Sequence, residues 1–90
     1  MSINDLILLS ILSNKELTLS EIIKKFRELE LEKLPTRTGI YSRLAILSTR
    51  KLMQTSWKEG EKLYKSSDIG KNVVEKFRVN LNQFYHNESK

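Results

Sequence analysis

Apolar residues at Ile3, Leu6, Ile7 and Ile11 recur at helical spacing, and Leu8, Leu9 and Leu12 widen the arc. They predict a mostly buried first helix over residues 3–13, ended by Ser13-Asn14. A second helix, residues 19–30, follows from Ile22, Ile23, Phe26 and Leu29 on one face and Lys24, Lys25, Arg27, Glu28 and Glu30 on the other. Thr18 or Ser20 can cap it, and Glu21 stands three residues after Thr18, as a capping box requires. The stretch ELELEKLP then drifts toward alternation, and Pro35, which lacks an amide hydrogen, forbids the helix from continuing. A third helix is expected over residues 36–52, capped by Thr36 or Thr38. On its wheel Leu44 and Leu47 fall within about 40° of Ile40 and define the buried edge. The opposite edge is Thr38, Ser42, Ala45 and Thr49.

After Leu52 the helical period stops. Two short runs, residues 53–58 and 61–66, flank Glu59-Gly60, where glycine can supply the positive φ of a tight hairpin. Two strands are marginal alone, so this wing over residues 53–66 should lean on the helices through Trp57, Leu63 or Tyr64. Ser67 or Asp68 can cap a last helix over residues 68–86. In that helix Val74, Phe77, Leu81 and Phe84 advance by three, four and three, as a coiled-coil seam does. With Val73, they offer more apolar surface than three short helices readily cover, and a homodimer formed through this helix is expected. The fold class is therefore mainly α with a small β-hairpin: three helices, a wing and a long C-terminal dimerisation helix, in one domain spanning residues 1–90.

Charge sharpens the picture. The chain carries 16 Lys and Arg against 11 Asp and Glu, a net +5. Residues 36–65 hold seven basic side chains and only two acidic ones, so the third helix and wing account for the whole surplus. An anionic partner follows, and double-stranded DNA is the one that a helix edged with small side chains fits, because its backbone can approach the major-groove floor. Thr38, Ser42 and Arg43 are the candidates for base edges. Thr36, Arg37, Tyr41, Arg50, Lys58, Lys62 and Lys65 are candidates for phosphates or, at the wing tip, the minor groove.

Other chemistries find no support. There is no cysteine, and His86, the one histidine, stands near the end of the sequence with no cysteine partner, so neither a metal nor another cofactor is expected. Glu28, Glu30 and Glu32 alternate, but nothing suggests the burial that would tune them for catalysis. Gly39, Gly60 and Gly70 are too far apart for a phosphate loop, so no enzymatic activity and no small-molecule ligand are expected. The apolar run near the N-terminus is about ten residues long, too short to span a bilayer, with Asp5 where a signal peptide would carry positive charge. A cytoplasmic protein without membrane attachment is the expectation.

With the elements placed, the order helix, helix, helix, hairpin, long helix resembles the PadR-like winged helix-turn-helix regulators from roughly Leu6 to Leu81. The most specific part is TGIYSRLAIL, similar to the family's recognition-helix pattern at Tyr41, Leu44 and Leu47. Leu52 matches the apolar residue after that helix, and Trp57, Gly60 and Tyr64 match the wing. Ser67-Asp68-Ile69-Gly70 resembles the family's Thr-Glu-Lys-Gly before the last helix. Lys51 stands where the family usually has Gly, and Leu19-Ser20 where it often has Gly-Tyr. The single terminal helix is similar to that of minimal winged-helix proteins of archaeal viruses and plasmids. The resemblance implies a sequence-specific DNA-binding dimer acting as a transcriptional repressor. Its alternatives are a plasmid-segregation or centromere-binding protein that spreads along DNA and, more distantly, a winged helix used to bind proteins.

Overall fold

The computed structural model describes residues 2–88, and the side chains of residues 2–82. Three helices come first, α1 (Ile3–Ile11), α2 (Leu19–Glu28) and α3 (Arg37–Thr49). A hairpin of β1 (Met53–Lys58) and β2 (Glu61–Ser66) follows, then α4 (Asp68–Glu88). This is a winged helix: mainly helical, with one two-stranded antiparallel sheet. Among the described residues no helix is long and apolar enough to cross a membrane.

Each helix starts where a side chain can satisfy its first amides. Ser2 caps α1, its hydroxyl accepting from the Asp5 amide at 3.2 Å while its own amide donates to Asp5 Oδ2 at 3.4 Å. Thr18 and Glu21 form the same reciprocal pair on α2. The Thr18 amide, and then its hydroxyl, hold the Glu21 carboxyl below the usual carboxylate range. Helix α1 ends two residues short of the expected position, because the Ser13 hydroxyl folds back and donates to the Leu9 carbonyl at 2.7 Å.

The core joins Leu8, Leu9 and Leu12 of the α1 region to Ile22 and Phe26 of α2, and to Ile40, Leu44 and Leu47 of α3. Leu52, Met53 and Tyr64 close it from the wing side. Helix α1 thus has two apolar faces. Leu8, Leu9 and Leu12, expected only to widen the apolar arc, enter the core, whereas Ile3, Leu6, Ile7 and Ile11 line a groove of about 320 Å³ shared with Leu29, Val74 and Phe77. Leu29, expected on the buried face of α2, is that helix's C-cap and is largely exposed.

The end of α3 turns by a Schellman motif. Leu52 N–H donates to the Leu47 carbonyl at 2.9 Å and Lys51 N–H to that of Ser48 at 3.0 Å, which requires Lys51 to adopt φ +62°. A side chain in this left-handed region is strained, and glycine is not. Lys51→Gly is therefore expected to stabilise the fold by about 1 kcal/mol, seen as a higher denaturation midpoint with an unchanged slope.

In the hairpin Trp57 faces Lys62 and Lys58 faces Glu61, leaving Glu59-Gly60 as a two-residue turn with φ +52° and +81°. Positive φ at both positions is the type I′ signature, whose twist suits a tight hairpin. The wing is anchored by Tyr64. Its ring is buried, and its backbone makes an isolated antiparallel bridge to Leu17, with N–H to O distances of 2.8 and 3.1 Å. Trp57, one of the alternatives expected to hold the wing down, is instead 70% exposed beside the hairpin tip, at the rim of an open groove.

Helix α4 is stapled at its start. Ser67 takes the cap role, accepting from Gly70 N–H at 3.1 Å and donating its hydroxyl proton to the Lys51 carbonyl at 2.7 Å. Val73 and Val74 pack partly against the core. Beyond them α4 runs bare, with Phe77 44% and Leu81 41% exposed. Phe84, the remaining member of the expected seam, lies outside the described side chains.

Candidate nucleic-acid interface

Helix α3 divides into a packed edge and a bare one. Ile40, Leu44 and Leu47 are buried, while Thr38, Ser42, Ala45 and Thr49 are all exposed along the opposite side. The Thr49 hydroxyl donates to the Ala45 carbonyl at 3.0 Å, so its proton is committed to the backbone. Thr36 caps the helix, its hydroxyl accepting from Gly39 N–H at 3.0 Å. Thr38 and Ser42 make no side-chain hydrogen bond among the described residues, and their hydroxyls face solvent one turn apart.

Two flanks border this edge. Tyr41, 50% exposed, lies on the wing side. With Trp57, Lys62 and Tyr64 of the wing and the first turn of α2 (Thr18, Leu19, Ser20), it lines an open groove of about 470 Å³. Lys62 Nζ sits 5.4 Å from the centre of the Tyr64 ring, a cation–π arrangement that holds the ammonium at this groove. Arg43 lies on the other flank, toward α1, while Arg50 is exposed at the C-cap of α3 and Arg37 in its first turn.

The structure sorts the wing lysines by strand alternation. Lys62 shares a face with Trp57 and Tyr64, and so joins the α3 side. Lys58 and Lys65 lie on the opposite face of the ribbon, where Lys65 borders a separate polar groove with Glu16 and Gln54. Of the ten residues expected to bind DNA, Tyr41 and Lys62 meet at one groove, Thr36, Arg37, Thr38, Ser42, Arg43 and Arg50 are exposed along α3 and at its ends, and Lys58 and Lys65 lie on the far face of the wing.

Arg43 is not free. Its guanidinium Nη1 lies 3.9 Å from Oδ2 of Asp5, a carboxylate that is 3% exposed. Asp5 was legible only as a charge ahead of an apolar run; the Ser2…Asp5 spacing signals its capping role, but nothing local signals its partner 38 positions away. Glu28, Glu30 and Glu32 are exposed. Among the described residues no three metal-ligating side chains cluster.

No family model matches the chain, and no curated protein does. Solved structures do. A PadR family transcription regulator from Clostridium difficile superposes with a TM-score of 0.83 at 22% identity, covering 94% of this chain and 93% of that one. A PadR-like transcription factor from Bacteroides fragilis gives 0.82 at 19%, covering 94% and 85%. Bacillus subtilis PadR, solved in complex with operator DNA, gives 0.74 at 22%, covering 88% of this chain and 47% of its own. This chain thus spans about half the length of the Bacillus subtilis protein. In the arrangement of its helices and wing, the chain has the winged-helix fold of the PadR-family transcription regulators.

Proposed function

We propose that the protein is a sequence-specific double-stranded DNA-binding homodimer that acts as a transcriptional repressor, without enzymatic activity. The observation that carries this reading is the bare edge of α3, made of small side chains opposite the packed Ile40, Leu44 and Leu47, beside a wing that carries Lys58, Lys62 and Lys65. An edge built that way suits the major groove, where backbone proximity matters more than side-chain bulk. Thr38 and Ser42 are the hydroxyls available to base edges, and Arg43 joins them if it leaves Asp5. Arg37, Tyr41, Arg50 and Lys62 then meet phosphates, with Lys58 and Lys65 on the flanking backbone. The operator complex of the structurally similar Bacillus subtilis PadR supports the same use of the fold.

Support for the dimer comes from α4, whose Phe77 and Leu81 continue the apolar groove along α1 out into solvent. Two copies joined there would present two α3 helices to successive major grooves, about one helical turn apart.

The test is duplex binding titrated against salt, after selection of bound sequences from a random pool. A steep salt dependence and a palindromic selected site are the expected results, and a binding constant insensitive to salt would remove DNA as the partner. Lys62→Ala should weaken specific and random duplexes alike and flatten the salt slope by about one unit. Footprints at rising protein concentration should stop at one palindrome. A protected region that keeps growing would replace repression with spreading along DNA.

A further inference from the structure

Asp5 is the buried charge that the proposed interface leaves unexplained. It lies at the third position of α1, with Oδ2 receiving a long 3.4 Å hydrogen bond from Ser2 N–H. Its other oxygen, Oδ1, is buried with no hydrogen-bond partner among the described residues. A carboxylate so placed is poorly compensated, because burial strips water that the protein has not replaced. The Arg43 guanidinium, 3.9 Å away on the neighbouring helix, is the one ion-pair partner it has among the described residues. The Arg43 side chain remains 48% exposed, so it is tethered and not enclosed.

We propose that Asp5 is a positioning residue that withholds Arg43 from DNA and so sets the affinity of the complex. The inference rests on the DNA-binding reading above. A DNA oxygen that draws the Arg43 guanidinium outward lengthens its 3.9 Å approach to Asp5, and a buried carboxylate losing its cation is unfavourable. Each new contact to DNA is therefore offset by the charge it uncovers. Helix α1 also lines the apolar groove with Val74 and Phe77, so the restraint lies between the proposed dimer face and the recognition helix.

Asp5→Asn tests this, since asparagine retains an oxygen for Ser2 N–H and removes the charge. It should bind duplex about three- to tenfold more tightly. The gain should vanish when Asp5→Asn is made in an Arg43→Gln background. A gain that survives there comes from net charge alone and overturns the proposal, as does an unchanged or weaker affinity in the single variant. In those cases salt-dependent binding by the unaltered protein leaves the DNA-binding reading standing, whereas no duplex binding by that protein removes both. Should a thermal melt show Asp5→Asn unfolded, the Arg43 side-chain N–H resonance of the unaltered protein decides. It is expected to shift on adding duplex, and a resonance that stays put overturns the exchange.

Discussion

Gly70→Ala should cost the fold about 3 kcal/mol or more, lowering the melting temperature by roughly 12–24 °C in a domain of this size. Glycine is needed here for space, not for a special backbone angle. A methyl group at this position would be driven into the carbonyl oxygen of Leu52, while also crowding Leu9 Cδ2 at 3.1 Å and the Leu52 carbonyl carbon at 3.2 Å. The Leu52 carbonyl cannot retreat cheaply, because it also accepts from Ser67 N–H at 3.1 Å. The neighbouring Ser66 hydroxyl, buried and donating to Leu9 at 2.7 Å, further fixes the segment. Relief would require α4 to lift from the core and surrender the Ser67 cap. A thermal melt within a few degrees of the parent would show that the first turn of α4 can move at little cost.

Phe77→Glu should convert the proposed dimer to a monomer and reduce operator affinity about hundredfold or more, because each half-site then binds alone. The monomer should keep its fold, since Phe77 is 44% exposed and stands outside the buried core. A carboxylate placed in an apolar seam between two copies must either be desolvated or force them apart, and separation costs less than burying two like charges. Sedimentation at micromolar concentration separates these outcomes. A variant that still sediments as a dimer, with operator affinity intact, would move the interface elsewhere.

Local signals foretold much of this fold because most of its elements close within a few residues of themselves. Thr18 and Glu21, Thr36 and Gly39, and the Glu59-Gly60 turn are all short-range devices, readable wherever the right side chains stand three or four apart. The apolar periods of α2 and α3 likewise name their buried edges, at Ile22 and Phe26 and at Ile40, Leu44 and Leu47. Misreadings arose where partners are distant in the chain. Both faces of α1 are apolar, so periodicity could not tell which meets the core and which meets α4. Trp57 is a strand residue by composition, yet its exposure depends on how far the helices extend beneath the wing. For the candidate interface, the identities of Thr38, Ser42, Tyr41 and the basic residues were legible from pattern and charge. That Arg43 leans toward Asp5, and that Lys62 and Lys65 sit on opposite faces, follows from tertiary packing and strand register.

The bridge between Leu17 and Tyr64 bears on how the molecule is assembled. During synthesis Leu17 leaves the ribosome well before Tyr64, so its amide and carbonyl wait in water until the hairpin has been made and zipped. A hairpin of this kind closes in microseconds once complete, so the wing acts as the latch that locks an already translated connection between α1 and α2. The connection between α1 and α2 thereby gains its native backbone pairing only with the second strand.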